Sequence, residues 1–177
     1  MVRAVFLDRD GVLNKNFVRD GVPYPPQSLS EFEVLPNVPE ALQQLKDAGF
    51  LLVVVTNQPD VARGTQAISV IHEMHKALRR EVNIDEIYMC IHDGDSCECR
   101  KPKPGMLLSA AKIHGIDLKN SFMVGDRWKD IVAGSAADCK TVLVGSLDEG
   151  KMPTAPDAVF TDLFASINWI LGQPAYL

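Results

Sequence analysis

Two groups of residues could carry chemistry. The first is a set of aspartates in two short patterns, Asp8-Arg9-Asp10-Gly11 and Gly125-Asp126-x-x-x-Asp130. Carboxylates gathered at one point repel one another unless a cation joins them. Hard oxygen ligands with room for water favour Mg²⁺. A lone aspartate after a strand is more often a turn or a helix cap. Two such patterns at two strand ends of one sheet read instead as a metal-assisted site. Thr56 adds a hydroxyl in a turn whose N–H groups can cradle a phosphate oxygen. The simpler alternative is a cap for the next helix. Lys101 can neutralise charge on a phosphoryl group, although a single lysine is most often a solvated surface residue.

The second group is Cys90-Ile91-His92 with Cys97-Glu98-Cys99. Three thiolates and an imidazole form a four-ligand structural zinc set. A disulfide among them would leave an odd cysteine and suits an oxidising compartment. With all four positions filled by protein, the ion would be closed to substrate and would pin a loop poor in apolar residues. Cys139 reads as a small buried hydrophobe. His72, His75 and His114 fall on predicted helices and are not read as ligands.

The elements that must position these groups alternate along the chain. Val2–Leu7 reads as a buried strand ending at Asp8, and Phe50–Val55 as another ending at Thr56. Further strands are predicted at 87–90, 122–124, 141–144 and 158–160. Helices are predicted at 38–48, 67–80, 105–114, 131–137 and 163–171. Residues 14–37 hold four prolines, Pro23, Pro25, Pro26 and Pro36, and read as a long loop. Strands apolar on both faces and alternating with helices imply a parallel sheet covered on both sides. The fold class expected is α/β, a Rossmann-like three-layer sandwich with a mostly parallel central sheet. Ligands of such folds bind at the carboxyl ends of the strands, which is where the unusual polar residues fall.

The chain has 177 residues, a net charge of −5 and 46% hydrophobic residues. This composition excludes disordered, collagenous and disulfide-miniprotein classes and fits a single domain, 1–177. Acidity argues against a nucleic-acid partner. No apolar run approaches the ~20 residues of a membrane span. The first strand leaves no room for a signal peptide, so the cytoplasm is expected.

Asp8-Arg9-Asp10-Gly11-Val12-Leu13-Asn14, Val55-Thr56-Asn57-Gln58, Cys99-Arg100-Lys101-Pro102 and Val124-Gly125-Asp126 together resemble the four motifs of the haloacid dehalogenase superfamily of phosphatases. The likeness runs from residue 4 to about 145. The zinc loop resembles that of the subfamily containing heptose-1,7-bisphosphate 7-phosphatases and histidinol-phosphate phosphatases. Ala62-Arg63-Gly64 and Arg100–Met106 lean to the heptose type. Pro59-Asp60, the four residues between His92 and Cys97, and Arg127 in place of a lysine depart from it.

The resemblance implies Asp8 as nucleophile, Asp10 as acid and base, and Thr56 and Lys101 as partners of the phosphoryl group. It implies Mg²⁺ on Asp8, Asp10 (through its backbone carbonyl) and Asp126, with Asp130 orienting a water or the loop. Asn57, Gln58, Lys101 and Arg100 would contact substrate, Arg100 at a second phosphate, with Arg63 a further candidate. Zn²⁺ would sit on Cys90, His92, Cys97 and Cys99. No large cap domain is expected, because segments 14–37 and 91–104 are too short. The expected substrate is a small phosphorylated sugar, a heptose bisphosphate or histidinol phosphate in the alternative, and the expected state is a monomer. A zinc-stabilised module that only binds a phosphorylated ligand would not need both Asp8 and Asp10.

Overall fold

The computed structural model describes residues 1–19, 21–145 and 152–174. The opening apolar run forms β1 (Ala4–Leu7), in which every residue is buried. Val5 and Leu7 join one core and Ala4 and Phe6 the other. A strand apolar on both faces must be covered on both faces, and this one is.

The segment 14–37 is more regular than its prolines suggest. Strands β2 (Phe17–Arg19) and β3 (Val22–Tyr24) form an antiparallel hairpin, and a 3₁₀ turn follows at Leu29–Glu31. Pro23 is tolerated because both strands of a two-stranded ribbon are edges. Helix α1 (Val38–Asp47) buries Val38, Ala41, Leu42 and Leu45. Gly49, at φ 83°, then turns the chain into β4 (Leu51–Asn57). There follow α2 (Ile68–Glu81), β5 (Glu86–Cys90), α3 (Gly105–His114) and β6 (Phe122–Gly125). Helix α4 (Trp128–Ala136), β7 (Lys140–Val144), β8 (Ala158–Phe160) and α5 (Leu163–Leu171) complete the described chain.

Helix α4 begins three residues before the predicted 131, and the reason is local. The Asp130 carboxylate accepts a hydrogen bond from the Arg127 N–H at 3.1 Å, closing a box over the first turn. Acidic groups are favoured there by the helix dipole. The shift matters because it makes Asp130 a buried first-turn residue, not part of a loop.

The main sheet has six strands in the order β5-β4-β1-β6-β7-β8, and every neighbouring pair is parallel. Helices α1 and α5 cover one face; α3 and α4 cover the other. The chain winds outward from β1 first through β4 and then through β6, so the crevice of such a sheet opens at the carboxyl end of β1. Register completes the placement. Leu7 pairs with Val54 on one side and Val124 on the other. Asp8, Thr56 and Asp126 therefore emerge at one edge. Among the described residues no large cap covers that edge: the two segments where one would be inserted hold the hairpin with its turn and the cysteine loop. No helix among the described residues is long and apolar enough to cross a membrane.

Candidate active site

Lys101 ties the carboxyl edge together. Its ammonium lies 2.8 Å from Asp8 Oδ1 and 2.7 Å from Asp130 Oδ1, and it donates to the Val55 carbonyl at 2.7 Å. All three of its donors are used, and the residue is only 2% exposed. Burial by itself would lower the Lys101 pKa. The carboxylates of Asp130 and Asp8 outweigh burial and hold it above the ordinary lysine value. The lysine is positioned through its backbone: the Lys101 N–H donates to Asn57 Oδ1 at 3.1 Å, and Asn57 Nδ2 donates to the Lys101 carbonyl at 2.9 Å.

Asp8, Asp126 and Asp130 each bring a carboxylate oxygen to within 4.8 Å of the others. Gly125 permits this crowding, since a Cβ there would run into the Asp130 carboxylate. Gly11 does the same for the loop after β1: at φ 89° it passes against Asp126, where a Cβ would collide with the carboxylate. Asp126 Oδ2 accepts a long 3.4 Å bond from Asn16, while Oδ1 is buried with no hydrogen-bond partner. Burial, reinforced by Asp8 and Asp130, pushes the Asp126 pKa up to about 8. Asp8 is pushed up to about 6, first by burial, against the pull of Lys101 and with Asp130 and Asp10 adding to the rise. One lysine does not neutralise three carboxylates, two of them buried. A hard divalent cation fits the donor set and would give the orphaned Asp126 oxygen its partner.

The Asp10 side chain lies outside this cluster. It accepts from Arg9 Nη2 at 2.9 Å, Asn14 Nδ2 at 3.0 Å and Gln58 Nε2 at 2.8 Å. Arg9 is fully buried and also meets His75 Nε2 at 3.2 Å. Gln58 Nε2 donates in addition to Thr56 Oγ1 at 2.9 Å, so Thr56 and Asp10 are held by one amide.

The thiols and imidazole form a second cluster beside the first. Cys90 Sγ is 3.1 Å from Cys99 Sγ, 3.7 Å from Cys97 Sγ and 3.6 Å from His92 Nδ1, and His92 Nδ1 is 3.3 Å from Cys99 Sγ. A tetrahedral ion with bonds of about 2.3 Å sets its ligands about 3.8 Å apart. The four groups fit zinc. Lys103 braces this loop by donating to the carbonyls of Asp95 and Cys97. Arg63 clamps it from outside with a bidentate pair to Asp93, both bonds 2.8 Å. Cys139 is buried and apart from the cluster, as expected of a small hydrophobe.

Above the aspartates is a cleft of about 270 Å³, bounded by Tyr24 and Pro25 of the hairpin segment, Pro59, Arg100, Arg127 and Lys129.

The chain is similar to proteins of known name and structure. A family model described as "HAD-hyrolase-like" matches residues 98–165. A D-glycero-beta-D-manno-heptose-1,7-bisphosphate 7-phosphatase of Pasteurella multocida is 45% identical over 81% of this chain and 82% of its own. The protein of that name from Escherichia coli K12 is 37% identical over 99% of this chain and 92% of its own. Among solved structures, the D,D-heptose 1,7-bisphosphate phosphatase of B. bronchiseptica, complexed with magnesium and phosphate, superposes with a TM-score of 0.82. It is 32% identical and covers 96% of this chain and 98% of its own. The chain belongs to the haloacid dehalogenase-like phosphatases.

For this phosphatase, the structure brings Asp8, Asp10, Thr56, Lys101, Asp126 and Asp130 to one edge. Asp130 stands inside the carboxylate cluster and touches Lys101 directly. The Asp10 carboxylate is taken up by Arg9, Asn14 and Gln58, which leaves the backbone carbonyl, the atom expected to meet a metal. Asn57 and Gln58, expected to meet substrate, line the cleft and also place their amides on Lys101, Asp10 and Thr56. Arg63 lines the cleft as well and is engaged by Asp93 and Asp60. Asn16 and Lys129 were not singled out by the sequence; both sit in stretches with no pattern that separates them from surface residues.

The raised carboxylates carry a pH signature. A carboxyl whose folded pKa exceeds its ordinary 3.8 favours the folded state at low pH and loses that contribution as pH rises through the folded value. In EDTA, the thermal midpoint should therefore fall between pH 5 and pH 8.5, through the values of about 6 and about 8 for Asp8 and Asp126. Asp126→Asn should flatten the upper part of that slope. A midpoint independent of pH over this range would contradict the assignment.

Proposed function

We propose that the protein hydrolyses the 7-phosphate of D-glycero-beta-D-manno-heptose 1,7-bisphosphate through an aspartyl-phosphate on Asp8. The observation that carries this reading is the pairing of Asp8 with a buried Lys101 beneath a cleft edged with arginines. The names of the relatives supply the substrate. In this reading an Asp8 carboxylate oxygen attacks phosphorus, and the sugar oxygen leaves with the proton donated by Asp10. Asp10, now ionised, takes a proton from the water that attacks the acyl phosphate, so Asp8 is regenerated and orthophosphate departs. Thr56 holds a phosphoryl oxygen, and Lys101 holds another by exchanging one of its carboxylate contacts for it. Holding Thr56 and Asp10 on one Gln58 amide keeps the phosphate and the leaving oxygen in register.

Mg²⁺ held by Asp8, Asp126 and the Asp10 carbonyl, with Asp130 beside it, would offset the repulsion between an anionic nucleophile and an anionic phosphate. Asp126 also needs that ion to relieve its unpartnered oxygen. Zn²⁺ on Cys90, His92, Cys97 and Cys99 would be structural and would fix the loop that presents Arg100 and Lys101. Thiolates kept as metal ligands suit the reducing cytoplasm, where we place the reaction.

Phosphate release should be measured over the heptose bisphosphate, sugar monophosphates and histidinol phosphate. The bisphosphate should give a kcat/KM at least tenfold above the others. Faster turnover of histidinol phosphate would replace the substrate assignment, and no turnover of any phosphomonoester would defeat the enzyme reading. Asp8→Asn should lower kcat by a factor of about 10⁴ or more in a normally folded protein; near-normal activity would remove the nucleophile. Purified protein should also hold one zinc per chain, and Cys97→Ser should lose it together with several degrees of thermal midpoint. Full zinc retention in that variant would rule out the four-ligand site.

A further inference from the structure

Lys129 is a cation that the fold itself does not use. It is half-buried, lines the cleft, and among the described residues its ammonium makes no hydrogen bond and no ion pair with a carboxylate. Its one close partner is the ring of its neighbour Trp128, at 5.7 Å. Two features make the position unfavourable. It is the second residue of α4, where the helix dipole disfavours positive charge. The Arg100 and Arg127 guanidiniums also repel it, more strongly than Asp95 and Asp130 attract it.

The two arginines differ from it in being tethered. Arg100 donates to the His92 carbonyl at 2.8 Å and lies 3.8 Å from Asp93. Arg127 donates to the Pro23 carbonyl at 3.3 Å and lies 3.9 Å from Asp126. Three like charges lining one cleft, one of them unpaired among the described residues, form a site for a multiply charged anion. Lys101, at the floor, is already occupied by Asp8 and Asp130, where the reacting phosphate would meet the nucleophile.

We propose that Lys129 is a further contact, beside Arg100 and Arg127, for the phosphate that is not cleaved, and that it strengthens the preference for sugar bisphosphates over monophosphates. This rests on the function proposed above and adds to it one residue that reads the second phosphate. Lys129 lies between two aspartates of the last motif, and nothing in the chemistry at Asp8 requires a lysine there.

The test compares D-glycero-beta-D-manno-heptose 1,7-bisphosphate with the corresponding 7-phosphate, which lacks only the phosphate in question. The ratio of their kcat/KM values should fall about tenfold in Lys129→Gln, chiefly through KM for the bisphosphate, a difference of about 1.4 kcal/mol. Lys129→Arg should restore most of the ratio. Because both substrates are read on the same preparation, a loss of folded enzyme cancels from the ratio. An unchanged ratio in Lys129→Gln, or a loss shared equally by the two substrates, would overturn the subsite while leaving the proposed function standing. A wild-type protein that does not turn over the bisphosphate would overturn the proposed function, and the subsite with it.

Discussion

Three carboxylates pressed around one buried ammonium set the terms for everything at the carboxyl edge of the sheet. Asp8 and Asp130 are each within 2.8 Å of Lys101, and Asp126 stands beside them with an oxygen that no protein group satisfies. Both pairs depend on Lys101: losing its ammonium would leave buried carboxylates uncompensated, at a cost of about 3–5 kcal/mol. The charge left over after Lys101 is negative, and it is what makes the site receptive to a divalent ion. The same excess would repel a phosphate, which explains why the surrounding walls are lined with arginines and a lysine.

Precision in the site comes from residues one layer back. Asn57 grips the Lys101 peptide from both sides, and Gln58 binds Asp10 and Thr56 with one amide. Arg9 is buried so completely that Asp10 and His75 are its polar side-chain partners within hydrogen-bond reach. The cysteine loop carries Arg100 and leads into Lys101, and Arg63 and Lys103 fasten it. The loop has few apolar residues of its own, so its ordering depends on ligands and ion pairs. The edge, with no large cap among the described residues, is bordered by this loop, the proline-rich hairpin and the start of α4.

Much of this was readable in the chain because strand ends are readable. A buried strand in a parallel sheet is a short apolar run, and the polar residue that ends it must lie at the carboxyl edge. Asp8, Thr56 and Asp126 are placed by that rule alone, and the cysteine spacing marks its own cluster. What escaped the sequence depends on contacts far apart in the chain. The positioning role of Asn57 and Gln58, which also line the cleft, shows only when their partners, 44 and 48 residues away, are known. Lys129 looks like any solvated lysine until the cleft wall is seen. The hairpin at 17–24 was hidden because strands of three residues, one with a proline, are too short for alternation to show. The start of α4 was misplaced because its signal is an Arg127–Asp130 bond and not an apolar period.

The central claim is that a divalent cation completes the carboxylate cluster at the end of β1 and β6. Anomalous diffraction from crystals soaked in Mn²⁺ tests it most directly. A single strong peak bonded to carboxylate oxygens of Asp8 and Asp126 is the predicted result. A peak elsewhere in the cleft, or none at a millimolar concentration that sustains turnover, would contradict it.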